Sequence, residues 1–199
     1  ITEGLVGSEM CIRDRHYGRI IKNINETIFA EFPSTTDAVK CAISIHYNFN
    51  KENSQNPDTY QIHGKIGIHM GEVYEKDGDV FGDGVNLAAR IQPIAETDGT
   101  VCTQSVYNAI RSVGNIFLRD MGRIALKNIQ DPERVFKIYQ DKNHYNKETA
   151  SELNEKLIEA GVDLFDRKSG KDSVTPIAVS YVKNLGSSVI SVIVTNLIK

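Results

Sequence analysis

The segment DVFGDGVNLAAR, residues 79–90, contains the pattern on which our interpretation of the whole chain depends. Gly82 and Gly84 stand on either side of Asp83, and glycine adopts positive φ at little steric cost. We therefore expect the end of a strand or loop, a glycine turn and the first turns of a helix. Asp83 is the predicted N-cap, because its carboxylate can accept hydrogen bonds from the free N–H groups of the first turn.

One face of this predicted helix carries an amide and a guanidinium close to the helix N-terminus. Asn86 and Arg90 are four residues apart, so they share a face. The free N–H groups and the dipole of a helix N-terminus favour anions. The same residues would also suit an ordinary solvated surface helix, and by themselves they leave both interpretations open.

Length and composition predict one domain with an extension. The chain has 199 residues, 40% of them apolar, which is enough for a core. A net charge of −3 gives no general attraction to nucleic acid or anionic membrane, so we expect neither as a partner. Cys11, Cys41 and Cys102 fit no metal-ligand spacing and indicate a reducing, cytoplasmic compartment. The sequence contains no run of about 18 apolar residues, so no membrane span is predicted.

The two ends of the chain differ from its centre. Residues 1–15, ITEGLVGSEMCIRDR, lack a signal-peptide layout, and we interpret them as a non-native leader resembling a translated sequencing adapter, or else as a disordered leader. Residues 141–172 are highly charged and predict a linker with a short amphipathic helix, whose apolar positions are Leu153, Leu157 and Ile158. Residues 173–199 resemble the start of a TolB-like domain, although the apolar run from 187 departs from it and would be an aggregation hazard if unpaired.

A hairpin and a long helix are predicted first. Residues 19–24 and 28–32 have strand composition around a turn at 25–27. Ser34 is a suitable cap for the following helix. His46 lies beside the apolar stripe, and we expect it to pack at the edge of the core rather than to bind metal. The apolar stripe consists of Ala38, Cys41, Ala42, Ile45 and Phe49.

The alternating segment 60–70 predicts a strand with one packed face and one face toward solvent or a partner. His63 and His69 are on the second face, six residues apart, which is too far for a mononuclear metal site, so we expect surface or interface histidines. A second strand at 71–75 and an Asp-Gly turn at 76–78 follow.

The remaining pattern predicts an α+β domain with helices packed on one face of a mainly antiparallel sheet. Pro93 should kink or end the helix that begins at Asp83 near residue 92, because proline lacks a backbone donor. The other predicted elements are strands at 100–103, 116–118, 124–126 and 135–139 and a helix at 105–113.

Four segments together resemble one known family, the class III adenylate/guanylate cyclase catalytic domain. The resemblance covers residues 16–140 and implies a ferredoxin-like (βαββαβ-type) α+β fold, of which the first strand would be missing here. The segments are HYGRIIKNINETIFAEFPS with DAVKCAI, KIGIHMGEVYEKDGDVFGDGVNLAARIQPIAE, GTVCTQSVYNAI and GRIALKNIQDPERVFKI.

The resemblance implies specific substrate-binding residues. Lys22 and Asp79 match the pair that reads adenine, a donor to N1 and an acceptor from the exocyclic amine, which implies ATP rather than GTP. Asn86 matches the residue that orients the ribose. Arg90 matches the arginine that stabilises charge on the α-phosphate, and Lys127 matches the lysine that holds the outer phosphates. The implied reaction forms 3′,5′-cyclic AMP and pyrophosphate in signal transduction.

The resemblance also implies two metal ions, Mg²⁺ or Mn²⁺, held by two carboxylates. Glu26 stands where the family has its second metal aspartate, and the first aspartate belongs to the missing strand. Glutamate is still a hard oxygen ligand, but its extra methylene shifts the carboxylate.

In the family each active site lies between two subunits, so the resemblance implies a homodimer. Two alternatives to an active adenylate cyclase remain open. The chain could be a non-catalytic cyclase-like regulatory or dimerisation domain with a degraded metal site, which Glu26 favours. It could also be a plain interaction domain, although such a domain would not need Lys22, Asp79, Asn86 and Arg90 together.

Overall fold

The structure is a computed structural model that describes residues 15–24, 27–55, 61–76, 79–165 and 189–198. The predicted turn around Glu26, the leader up to residue 14 and the TolB-like stretch up to residue 188 lie outside these ranges. The described elements, in chain order, are β1 (Arg19–Ile24), β2 (Thr27–Phe32), α1 (Thr35–Gln55), β3 (His63–Glu72), β4 (Tyr74–Lys76), β5 (Asp79–Phe81), α2 (Asp83–Ile91), a 3₁₀ turn (Gln92–Ile94), β6 (Gly99–Thr103), α3 (Gln104–Ile110), β7 (Phe117–Ile124), β8 (Glu133–Tyr139), α4 (Lys142–Lys147), α5 (Ala150–Glu159) and β9 (Val189–Ile198).

A seven-stranded sheet with the order β1-β2-β9-β3-β6-β8-β7 organises the domain, and β4 and β5 form a separate two-stranded ribbon. Only the β3–β6 pair is parallel among the described strands. The predicted α+β class with a mainly antiparallel sheet is confirmed. β7 is one strand with a bulge near Gly122, where φ is +89°, so the separate strand predicted at 124–126 is wrong.

Helix α1 confirms the predicted amphipathic pattern, since its apolar stripe is buried in the largest hydrophobic cluster. The backbone N–H of Asp37 donates to the Oγ of Ser34 at 3.4 Å, as expected of a cap. His46 is not at the edge of the core but only 1% exposed. Its Nε2 lies 3.0 Å from the Oγ1 of Thr100, and burial lowers the pKa of His46 to about 4.

Helix α2 covers the face of β3 opposite to α1. The helices therefore lie on both faces of the sheet, and the prediction that they pack on one face is wrong. An added Cβ on Gly67 would lie 2.8 Å from the carbonyl oxygen of Ala88 and from the Cα and N atoms of Gln92. The helix ends at Ile91, immediately before the 3₁₀ turn that contains Pro93, as predicted. The contact at Gly67 is between the backbones of β3 and α2, so Gly67 sets how closely the helix approaches the sheet.

The start of α2 differs from the prediction in one respect. Gly82 is the N-cap, with φ 138°, and Asp83 is the first helical residue without a capping hydrogen bond from its side chain. The backbone enters the helix through a conformation open only to glycine, so the helix begins one residue earlier than a capping Asp83 requires.

Helices α4 and α5 continue beyond the predicted domain boundary at residue 140. Thr149 and Glu152 form a capping box at the start of α5. Leu153 and Leu157 are 1% and 4% exposed and belong to a second cluster with Val135 of β8. Ile158, the third predicted apolar position, is instead 54% exposed. This part of the charged segment therefore packs on the sheet.

Strand β9 lies within the apolar run that begins at residue 187, and in the sheet it is not unpaired. It pairs antiparallel with β2, from Thr27 opposite Asn196 to Phe32 opposite Ser191. On its other side it pairs antiparallel with all of β3. β9 therefore lies inside the sheet and has partners along both edges.

We predict that Gly67→Ala lowers the free energy of unfolding by about 1–3 kcal/mol, because the new methyl group must displace backbone rather than a flexible side chain. Denaturant unfolding measures this change. Gly114→Ala is the matched control, since a Cβ there has no neighbour within 4 Å, and it should change stability by less than about 1 kcal/mol. Equal effects of the two variants would contradict the close packing of α2 on β3.

We also predict that Leu153→Ala costs about 2–5 kcal/mol of unfolding free energy, because it empties a buried site. Ile158→Ala on the same helix should change it by less than about 0.5 kcal/mol. If Leu153→Ala is equally harmless in denaturant unfolding, then α5 is a linker helix and not part of the domain core.

Candidate active site

The outer face of α2 carries the two polar residues predicted to act on a substrate. The inner face consists of Gly84, Val85, Ala88 and Ile91, all buried. Asn86 and Arg90 are both exposed, so they share the outward face, as their spacing predicts. The core of the described domain therefore does not contain the amide of Asn86 or the guanidinium of Arg90.

The glycine turn places the start of α2 against the end of β3. An added Cβ on Gly84 would lie 3.1 Å from the carbonyl oxygen of Glu72, and one on Gly82 would lie 2.9 Å from the same atom. The N–H of Asn86 donates to the carbonyl of Gly82 at 3.3 Å. Gly82 is thus needed for the helix to begin at this point, and a side chain on Gly84 would crowd the end of β3.

Lys22 on β1 is connected to the same region by the ring of Phe29, which it contacts. Its Nζ lies 5.7 Å from the centroid of the Phe29 ring. Phe29, together with Val85 and Ala88 of α2, forms a third hydrophobic cluster. The contact between the β1–β2 hairpin and α2 therefore brings Lys22 toward the first turns of the helix.

Asp79 begins β5, which pairs with β4 and also lies against β1. The backbone at Asp79 is therefore near the strand that carries Lys22. The two predicted base-reading residues therefore lie on strands that contact each other but belong to different sheets.

Lys127 lies on the other side of α2, in the turn that follows β7. The N–H of Ile129 donates to the carbonyl of Leu126 at 3.2 Å, and Asn128 has φ 61°. Leu126 is buried in the second cluster, against which Leu87 also packs. The tight turn buries Leu126 and leaves Lys127 exposed.

The predicted metal ligand, Glu26, lies outside the described residues. Within the part of the chain that the structure describes, no group of three or more His, Cys, Asp or Glu side chains could hold a metal ion. The described residues thus do not form a metal site on their own. The assignment of Glu26 stays a prediction.

His69 was expected at the surface or an interface, and it is half-buried under α2. Its Nδ1 lies 2.9 Å from the Oγ1 of Thr103, and burial lowers the pKa of His69 to about 4. The alternating pattern correctly places His69 on the face of β3 that does not carry Ile68. In the structure α2 covers this face. His63, on the same face, is also half-buried and pairs with Asp98 through Nδ1 at 2.7 Å.

None of the helices in the described ranges has both the length and the apolar character needed to cross a bilayer.

Nucleotide cyclases are among both the curated proteins and the solved structures that match this chain. No family model matches the chain. "Putative adenylate cyclase 3" of Rhizobium meliloti strain 1021 is 31% identical over 121 residues, which are 61% of this chain and 21% of that protein. An uncharacterized protein of Mycobacterium tuberculosis strain H37Rv is 26% identical over 115 residues, 57% of this chain and 37% of its own length. The chain thus spans well under half of these relatives.

Solved structures of nucleotide cyclases match a somewhat larger part of this chain. The adenylyl cyclase CyaB from P. aeruginosa superimposes with a TM-score of 0.55 at 18% identity, over 68% of this chain and 78% of that one. The adenylate/guanylate cyclase/hydrolase from Silicibacter pomeroyi has a TM-score of 0.59 and 30% identity, over 65% of this chain and 76% of that chain. The glycine turn, the α2 face and this overall correspondence have one common explanation, which is that the chain belongs to the class III adenylate/guanylate cyclase catalytic domains.

Proposed function

We propose that this chain is the catalytic domain of an adenylate cyclase, a phosphorus–oxygen lyase that converts ATP into 3′,5′-cyclic AMP and pyrophosphate in intracellular signalling. The 3′-oxygen of the ribose attacks the α-phosphorus and loses its proton, and the bond from the α-phosphorus to the pyrophosphate oxygen breaks. The observation that carries this proposal is the outward face of α2, where Asn86 and Arg90 stand exposed behind a glycine turn.

Arg90 is the group proposed to stabilise the transition state. Negative charge builds up on the α-phosphate oxygens during the attack, and a guanidinium offers several donors in a fixed plane. Asn86, one turn earlier on the same face, is proposed to orient the ribose. Their rigid helix holds both groups in place before the reaction, which is the condition for effective electrostatic stabilisation.

The exposure of these side chains supports a homodimer with the active site between two subunits. A charge pair in bulk water is worth roughly a quarter of the same pair near a protein surface, because of dielectric screening. A second copy that covers the α2 face would exclude water and strengthen the contact of Arg90 with phosphate. The proposed partner subunit would supply the metal-binding hairpin to this half-site.

Lys22 and Asp79 are proposed to select adenine. Adenine presents an acceptor at N1 and a donor at its exocyclic amine, whereas guanine presents a donor at N1 and an acceptor at O6. A lysine and an aspartate complement the first pattern and oppose the second. One structural neighbour at 17% identity is the catalytic core of a rhodopsin-guanylyl cyclase with converted specificity in complex with ATPalphaS. Lys127, exposed on its tight turn, is proposed to bind the outer phosphates.

Class III cyclases generally use Mg²⁺ or Mn²⁺, and we propose Glu26 as the ligand that this chain contributes. When bound, such an ion lowers the cost of charge on the phosphate oxygens. The described residues do not form a metal site by themselves. We also propose a cytoplasmic location, which the buried free thiols of Cys41 and Cys102 support.

A second candidate is a cyclase-like domain that binds nucleotide or dimerises without catalysis. The observation that favours it is Glu26, which stands where the family has an aspartate. The two candidates differ in product formation.

We predict that Arg90→Ala lowers kcat for cyclic AMP formation by about 10²–10³-fold, because one transition-state donor is lost. ATP binding, followed by equilibrium dialysis, should change far less. Arg111→Ala, which removes another exposed arginine, should retain the wild-type kcat. An active Arg90→Ala enzyme would refute the role of Arg90. A wild-type protein that binds ATP but forms no cyclic AMP with Mg²⁺ or Mn²⁺ would favour the second candidate.

We predict that Lys22→Glu combined with Asp79→Asn reverses the preference for the base. The glutamate would accept from the N1–H of guanine, and the asparagine amide would donate to O6. The ratio of kcat/KM for ATP to that for GTP should fall by at least about tenfold, since hydrogen bonds to charged groups contribute roughly 1.5–3 kcal/mol each. Lys40→Glu, on the exposed side of α1, is the charge-matched control and should leave the ratio unchanged.

A further inference from the structure

A chain of hydroxyl groups next to β3 fixes which nitrogen of His69 carries a proton. The Oγ of Ser105 donates to the carbonyl oxygen of Met70 at 3.1 Å, so the Ser105 proton is used there. The Oγ1 of Thr103 lies 2.9 Å from the Oγ of Ser105, and Thr103 must therefore be the donor in that contact. The Nδ1 of His69, 2.9 Å from the same Oγ1, is then the donor to Thr103.

The direction of donation leaves Nε2 of His69 as the unprotonated nitrogen. Burial lowers the pKa of His69 to about 4, so the ring is neutral at physiological pH. In a neutral imidazole one nitrogen donates and the other accepts. Nε2 is consequently a hydrogen-bond acceptor.

Nε2 lies against the backbone of Gly71, where the end of β3 meets the first turn of α2. A Cβ added to Gly71 would be 2.6 Å from Nε2 and 3.4 Å from the Cα of Gly84. The imidazole thus fills the space that Gly71 leaves open, beneath the second residue of the helix. The first N–H groups of a helix have no partner within the helix and carry partial positive charge, so an acceptor close to the start of α2 favours this end electrostatically.

We propose that His69 is a positioning residue of the cyclase site: the donor chain from His69 through Thr103 and Ser105 holds the imidazole so that Nε2 fixes the first turn of α2. Asn86 lies two residues after Gly84, and Arg90 one turn later. The direction of both side chains toward the nucleotide therefore depends on the orientation of this ring. The inference rests on the proposed function for its catalytic consequence, but not for the geometry.

The chain offers a matched pair of variants on one strand. Thr103→Val removes the acceptor of His69, and Thr100→Val removes the hydroxyl that contacts a second histidine, the buried His46, at 3.0 Å. Both threonines are buried on β6, so both variants should lower Tm. Only Thr103→Val should lower kcat, by about tenfold or more, since small displacements of a catalytic group reduce rates strongly, with KM for ATP within about threefold. Equal kcat values in the two variants would overturn the proposal.

Two variants of His69 itself test the two nitrogens of the ring separately. His69→Asn keeps an N–H near the place of Nδ1, whereas His69→Gln extends an amide toward the place of Nε2. We expect His69→Gln to retain more of the wild-type kcat than His69→Asn at similar Tm. The reverse order would show that only the bond to Thr103 matters, and would overturn the role of Nε2.

A readout without catalysis separates failure of this inference from failure of the proposed function. Nitrogen NMR of the whole chain should show His69 with its proton on Nδ1, and a proton on Nε2 would contradict the donor chain. Should the wild type form no cyclic AMP, the proposed function fails while the inference is still decided by backbone amide shifts. Shifts at residues 83–86 in Thr103→Val but not in Thr100→Val support it, and unchanged shifts in both variants overturn it.

Discussion

The close approach of α2 to β3 is the constraint on which the candidate site depends. At Gly67 the two backbones are so close that a methyl group would reach within 2.8 Å of the helix carbonyl at Ala88. Such contact between backbones leaves little freedom in the height or the tilt of the helix. The outward directions of Asn86 and Arg90 follow from it. The same approach covers the face of β3 that would otherwise meet water, and it leaves His69 half-buried.

Because α2 contacts two separate hydrophobic clusters, it also relates the other candidate residues to one another. Val85 and Ala88 belong to the cluster that includes Phe29 of the β1–β2 hairpin. Ile91, with Leu87 packed nearby, belongs to the cluster that includes Leu126, the residue before Lys127. A displacement of α2 would therefore change the position of Arg90 relative to Lys22 on one side and Lys127 on the other.

Local sequence patterns were sufficient for the features set by local physics. The buried stripe of α1, the end of α2 before Pro93 and the outward pair Asn86 and Arg90 followed from helical spacing and from the missing donor of proline. The pattern failed where a distant segment decides the outcome. His69 occupies the face that alternation assigns to it, but neither its cover by α2 nor the hydroxyl of Thr103 can be read from residues 60–70.

The central place of β9 has the same explanation and the largest consequence. β2 and β3 have no direct pairing in the described sheet, and β9 supplies the hydrogen bonds on both sides between them. Buried backbone groups of both strands need such partners. The β1–β2 hairpin is thus held by two independent contacts, the ladder to β9 and the packing of Phe29 on α2. Since Lys22 lies on this hairpin, the half of the candidate site that reads the base depends on a strand more than 150 residues away in the chain.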